Sequence, residues 1–185
     1  MRVPNAFLDA IRLVHEAAAR HGFRIALIGG FALPFHGVRR ATGDVDFLVE
    51  AHGSDALHDA LSAAGYATLH RSDDAANYRG TGTLLIGVDV LYARRPATLA
   101  MLDRAAIPRG GGDVPVVDVE GLIGLKLQAL VNDPARRRQD EADIVALLTL
   151  HLPSLDRALL DDYFALFDRQ DDLARFLDEA RQRRD

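Results

Sequence analysis

A small mixed β-sheet flanked by helices, with a helical carboxy-terminal part, is the α/β (α+β) architecture that this 185-residue sequence predicts. Three observations predict it. Short apolar runs bounded by glycines alternate with helical periodicities up to residue 117. The run over residues 44–50 has the apolar and acidic alternation of a strand. Beyond residue 117 only helical spacing remains, punctuated by Pro134 and Pro153. The chain is accordingly expected to divide into a core over residues 1–117 and a helical region over 118–185 that packs on the core.

Each element has its own signal. From Asn5 to about Arg20, Phe7, Leu8, Ile11 and Val14 recur at helical spacing, and Gly22 supplies the stop. Residues 24–28 form a short apolar run ending at Gly29-Gly30, which predicts a buried first strand. Residues 31–36 read as a short helical turn, since Pro34 is tolerated in a first turn, and 38–43 as a polar, basic loop. Residues 44–50 predict a second strand. Ser54 is expected to cap a helix that runs through Leu57 and Leu61 to Gly65. Residues 83–92 predict a third strand, apolar except for Asp89, and a turn around residues 110–112 leads to a fourth at 114–117. Asp118 then caps a helix through Leu130, two or three further helices follow, and residues 181–185 form a charged end.

Composition narrows the chemistry. The chain has no cysteine, so any metal must be held by carboxylate, carbonyl or imidazole, which favours a hard cation. Neither a signal pattern nor an apolar run of membrane-spanning length is present, and a cytoplasmic protein with no membrane partner is expected. A formal charge of -5 argues against a basic nucleic-acid surface overall, although Arg136, Arg137 and Arg138 form a local patch that could steer phosphate.

The informative segment is Leu27-Ile28-Gly29-Gly30 followed by Thr42-Gly43-Asp44-Val45-Asp46-Phe47. Two glycines at a strand end let a phosphate approach the backbone without obstruction, and the helix start that follows offers amide hydrogens. Asp44 and Asp46, two apart on a strand, leave the same face, while Val45 and Phe47 pack on the other. Asp89 sits alone in an apolar strand, where an ionised carboxylate is costly to bury without a partner. Clustered carboxylates repel one another, and magnesium, or manganese, resolves the repulsion and serves phosphoryl chemistry. Arg40 and Thr42 flank the pair and could contact phosphate or brace the loop; His36 reads as a loop-bracing histidine.

The run Ile28-Gly29-Gly30-Phe31-Ala32, with the run from His36-Gly37-Val38-Arg39-Arg40 through Asp46, resembles the signature of the polymerase-beta-type nucleotidyltransferase superfamily. Within it the likeness is to the minimal nucleotidyltransferases and the AbiEii-type toxins of abortive-infection and toxin–antitoxin systems. A second run from Val117-Asp118-Val119-Glu120 through Lys126, with residues 137–140 and Asp143-Ile144, is similar to that group's second block. The resemblance implies a nucleotidyltransferase fold, with Gly29, Gly30, Asp44, Asp46 and Asp89 as the nucleotide and metal site. It further implies that Lys126 and Asp143 lie near the triphosphate. Read from helix geometry alone, Lys126 is open to another role, a lysine whose stem covers the core while its head reaches water. Asp140 and Asp143, one turn apart, read equally as a solvated face or as partners of Arg136 or Arg137.

The expected function is therefore a magnesium-dependent transfer of a nucleotidyl group from a nucleoside triphosphate to a tRNA 3′ end or a protein, either as a toxin, for which a cognate antitoxin is a possible partner, or as a stand-alone homologue. Two alternatives stand beside it. One is a non-catalytic nucleotide- or partner-binding module of the same fold. The other is an antibiotic-modifying nucleotidyltransferase, for which Asp161-Asp162 and Asp171-Asp172 could supply an acidic pocket or, more simply, solvated helix faces.

Overall fold

The computed structural model describes residues 5–81, 86–109 and 112–184. These residues form two compact units. One comprises Met1–Leu33 with Arg40–Val117, and the other Pro34–Arg39 with Asp118–Asp185.

The first unit opens with α1 (Asn5–His21), which buries Ala10, Val14, Ala17 and Ala18 and ends at Gly22, where φ is +71°. β1 (Ile25–Ile28) follows, buried throughout, then the four-residue α2 (Gly29–Ala32) and a 3-10 turn over Leu33–His36. β2 (Asp44–Glu50) alternates as its sequence requires up to Leu48. α3 (Ser54–Ala63) is entered through a 3-10 turn over Ala51–Gly53, so Gly53, not Ser54, is its cap residue, and no side chain caps it. A Cβ on Gly53 would collide with the Phe23 ring, which accounts for a glycine there. The helix stops at Ala63, two residues before Gly65 adopts φ +90°.

A hairpin that the sequence pattern does not signal comes next, β3 (Tyr66–Arg71) and β4 (Ala75–Gly80). Ser72 closes its turn: Oγ accepts from Ala75 N at 3.1 Å, and Ser72 N donates to Ala75 O at 2.8 Å. β5 (Gly87–Ala93) carries Asp89; the expected strand began at residue 83, and residues 83–85 lie outside the described ones. α4 (Pro96–Arg104), also unsignalled, starts with proline at its first position and buries Met101 and Leu102. The expected fourth strand at 114–117 is reduced to isolated bridges from Val116 to Leu27 and to Ala106. Pro115 has no amide hydrogen to extend a ladder, although its carbonyl accepts from Leu27 N at 2.8 Å. Of the turn expected at 110–112, residues 110 and 111 lie outside the described ones.

The sheet order is β1-β2-β5-β4-β3, with β2 and β5 parallel and every other pair antiparallel. Val45, Phe47, Val88, Val90, Ala76 and Tyr78 are buried on one face. Tyr78 Oη lies 3.4 Å from His58 Nδ1, which places α3 on that face. The opposite face carries Asp44, Asp46, Leu48 and Glu50 on β2 beside Gly87, Asp89 and Leu91 on β5. α4 packs against these two strands, and its Asp103 reaches the Arg24 guanidinium that also binds Glu50. The carboxylates Asp44, Asp46 and Asp89 thus stand toward the amino-terminal ends of β2 and β5.

The second unit is helical. α5 (Val119–Asn132), α6 (Arg137–His151), α7 (Arg157–Ala165) and α8 (Gln170–Gln182) pack α5 on α6 and α7, and α8 on α6 and α7. Asp118 caps α5 by accepting from Gly121 N at 2.9 Å, and Asp156 caps α7 by accepting from Leu159 N at 3.0 Å. Pro134 and Pro153 sit in the 3-10 turns before and after α6. Leu122, Ile123, Leu127, Ile144, Leu147, Leu148, Leu160, Phe164 and Phe176 form the core. Among the described residues no helix is long and apolar enough to cross a membrane.

Candidate active site

β2 and β5 run parallel with Asp46 directly opposite Asp89 and Asp44 directly opposite Gly87. All three carboxylates are half-buried and share one sheet face. Two glycines make room for them. A Cβ on Gly87 would overlap the Asp44 carboxylate, and one on Gly29 would overlap that of Asp46. Gly29 also adopts φ +62°, a conformation that side chains rarely tolerate, so two independent constraints hold glycine at the end of β1. Gly30 is less crowded, with Thr42 Cβ 3.2 Å from the position of an added Cβ and Arg40 Cγ at 3.9 Å. Thr42 Oγ1 donates to Asp44 O at 3.1 Å, tying the basic loop to the first residue of β2.

Asp89 has a protein partner. Asn77 Nδ2 donates to its Oδ1 at 2.7 Å, from the position opposite it on β4. The burial argument had left a cation as the expected partner; the neighbouring strand meets part of that need with an amide. The phosphate seat also differs from expectation in one respect. α2 has only four residues, so its dipole is slight, and the expected seat would depend on the half-buried backbone at Gly29 and Gly30 instead.

The fit of a metal can be judged from these donors. They are carboxylate oxygens without sulfur, the set that suits magnesium or manganese. Among the described residues no three His, Asp or Glu side chains are grouped tightly enough to hold a metal ion alone. Magnesium is commonly bound through one or two carboxylates completed by water and substrate phosphates, so a site of this kind needs no three-residue cage. Asp46 and Asp89, with Asp44 on the same face, fit that pattern.

Lys126, on α5, is a different case. It neither snorkels nor reaches water: the residue is 5% exposed, and Nζ donates to Asp140 Oδ1 at 2.8 Å and Asp143 Oδ2 at 2.7 Å. Asp140 is 0% exposed and Asp143 5%, which excludes the reading of both as a solvated face. Arg136 Nε stands 3.6 Å from Asp140 Oδ2, at ion-pair distance. Arg137 pairs with Glu141, not with either aspartate. Asp161 pairs with Arg157 and Asp172 with Arg169 and Arg175.

Sequence reasoning missed Asn77 and Gly87 as neighbours of the carboxylates. Gly87 had a signal, a glycine two residues before Asp89 in a strand otherwise rich in bulky residues.

A family model described as the nucleotidyl transferase AbiEii toxin of type IV toxin–antitoxin systems matches residues 12–185. The chain belongs to this family. It is thus a nucleotidyltransferase, an enzyme, and the fold agrees. The solution structure of the antibiotic-resistance factor ANT(2'')-Ia superposes with a TM-score of 0.65 at 14% identity, covering 94% of this chain and 97% of that one. The crystal structure of ANT(2")-Ia with adenylyl-2"-tobramycin gives 0.61 at 14% identity, over 86% and 97%. An antigenic nucleotidyltransferase-like protein from Paracoccidioides brasiliensis gives 0.55 at 17% identity, over 95% and 93%. At such identities the likeness is one of fold, and this AbiEii-family chain shares the nucleotidyltransferase fold with all three. No curated protein matches it in sequence.

Proposed function

We propose that the protein is a magnesium-dependent nucleotidyltransferase that moves a nucleotidyl group from a nucleoside triphosphate to a macromolecular acceptor, a tRNA 3′ end or a protein side chain. In this reading it is the cytoplasmic toxin of a toxin–antitoxin or abortive-infection system and has a cognate antitoxin. The observation that carries the chemistry is the register of β2 on β5, which sets Asp46 opposite Asp89 with Asp44 on the same face.

Gly29 and Gly30 expose backbone to the triphosphate, and Arg40 and Thr42 line the same end of β1 and contact its phosphates. Asp44, Asp46 and Asp89 would hold magnesium, which when bound neutralises the triphosphate and eases ionisation of the attacking hydroxyl. The acceptor oxygen forms a bond to the α-phosphorus as the bond to the bridging α–β oxygen breaks, pyrophosphate leaves, and Asp89 takes the hydroxyl proton. Asn77 orients Asp89 for that task. Lys126 and Asp143 enter the proposal through the family resemblance as residues near the triphosphate.

A second reading, transfer to a small hydroxylated antibiotic, is favoured by the near full-length likeness to ANT(2'')-Ia. One experiment separates the two. Each labelled triphosphate is incubated in magnesium with the protein and with total RNA, a protein lysate or tobramycin in turn. Label in RNA or protein supports the macromolecular acceptor; label in tobramycin alone sinks it.

A further inference from the structure

The sheet face that carries the three carboxylates continues past β5. Across four strands one row of it reads Asp46, Asp89, Asn77 and His70, each directly opposite the next. Arg79 stands two residues along β4 from Asn77, so it shares this face and lies diagonal to Asp89, within the range of a long side chain. Its partner on β3 is Ala67, and Ala75 lies on the other side of Asn77. This half of the face thus bears two alanines, an amide, an imidazole and a guanidinium. Ala67, His70 and Arg79 are exposed. The other arginine of the hairpin, Arg71, is opposite Ala76 on the far face and pairs with Asp55, while Asp89 is held by Asn77. Among the described residues no carboxylate lies at ion-pair distance from Arg79.

A cation left open beside a row of carboxylates is placed for an anion that arrives with the substrate. Gly29 and Gly30, the proposed triphosphate seat, follow β1, on the side of β2 away from β4. Arg79 therefore stands on the side of Asp89 that is left to the acceptor. The hydroxyl of an RNA 3′ end carries its own phosphate one sugar away, whereas a protein hydroxyl has no fixed anion beside it and a cationic antibiotic would be repelled. An arginine meets a phosphate with two parallel hydrogen bonds. We propose that Arg79 binds the phosphate of the 3′-terminal nucleotide of an RNA acceptor and so aligns its hydroxyl beside Asp89. This rests on the proposed reading of Asp89 as the residue that takes the hydroxyl proton, and it narrows the acceptor to RNA.

The test compares three variants. Arg79→Gln removes the charge, Arg79→Lys keeps it without the fork, and Arg71→Gln removes an equal charge from the opposite face of the same hairpin. Filter binding of unfractionated tRNA at fixed magnesium should be at least about tenfold weaker for Arg79→Gln, about threefold weaker for Arg79→Lys and within about twofold of wild type for Arg71→Gln. The slope of log affinity against log salt should become shallower by about 0.7 in Arg79→Gln, as the loss of one phosphate contact on a single strand requires, and stay as in wild type in Arg71→Gln. Calorimetry with ATP and magnesium should give one affinity for all. Unchanged tRNA affinity or an unchanged slope in Arg79→Gln overturns the proposal, as does equal weakening by Arg71→Gln. A loss of ATP affinity in Arg79→Gln overturns it too, by placing Arg79 on the triphosphate. Failure of the underlying reading looks different: the wild type then transfers label from the triphosphate to protein or tobramycin and none to tRNA.

Discussion

Lys126 Nζ lies between Asp140 Oδ1 and Asp143 Oδ2, at 2.8 and 2.7 Å, so one buried ammonium joins α5 to the first two turns of α6. Removing the cation of a buried ion cluster takes from its carboxylates their nearest opposite charge, which typically costs about 3 to 5 kcal/mol. Lys126→Met is therefore expected to lower stability by about that amount, although methionine keeps the stem's packing. Denaturant titration measures it; a loss under about 1 kcal/mol would show that the two carboxylates find other partners. Triphosphate affinity of the variant, measured where it remains folded, tests the nucleotide role separately.

Asp44→Asn and Asp46→Asn should each reduce nucleotidyl transfer by at least about a hundredfold while the fold stays intact. Neither side chain is fully buried, and each change relieves repulsion on the shared face. Rates and melting curves of the same preparations decide the matter. Near wild-type turnover in either variant would make that aspartate structural.

Triphosphate binding should be strong in magnesium or manganese and weak in chelator, because the carboxylates on β2 and β5 repel the phosphates until a cation lies between them. Isothermal calorimetry in the two buffers reads this directly. Equal affinities would remove metal from the account.

Acid should weaken the first unit through Glu50. The Arg24 guanidinium donates to both of its carboxylate oxygens and holds the Glu50 pKa down from 4.5 to about 2, against the opposing effect of burial. A pKa lowered by folding means that the unfolded chain binds the proton first. The contribution is therefore complete above about pH 4.5 and is lost as pH falls toward about 2. In Glu50→Gln the slope of stability against pH between those values should be shallower, as urea midpoints taken every half unit would reveal. An unchanged slope would mean that the pair is broken in solution.

Much of the fold could be read from local pattern. β2 shows period-two alternation in Asp44-Val45-Asp46-Phe47, Gly22 ends α1, and Asp118 caps α5, since each of these signals acts within a few residues. The hairpin escaped because β3 is exposed at every position after Tyr66 and so has no apolar face to alternate. α4 carried proline at its start but too short an apolar stripe to stand out. In the candidate site, the shared face of Asp44 and Asp46 follows from strand geometry alone. That Asp89 lies opposite Asp46, and not one residue away on the other face, depends on the register of two strands far apart in sequence. Asn77 was hidden with its hairpin. The Asp140 pairing was hidden because the first turns of α6, rich in charge, look like a solvated surface until α5 is laid against them.

The position of β5 bears on how the enzyme comes into being. It is the last strand of the sheet to leave the ribosome, yet it lies inside the sheet, between β2 and β4, and its parallel pairing with β2 waits for the whole hairpin to be made. A nascent chain that has reached Glu50 already holds Asp44 and Asp46 but lacks the strand that brings Asp89. Pairing of this long-range kind is slow and forms late. No product of synthesis interrupted before β5, and no chain with β5 undocked, possesses the three carboxylates together, so assembly of this carboxylate face is coupled to completion of the sheet.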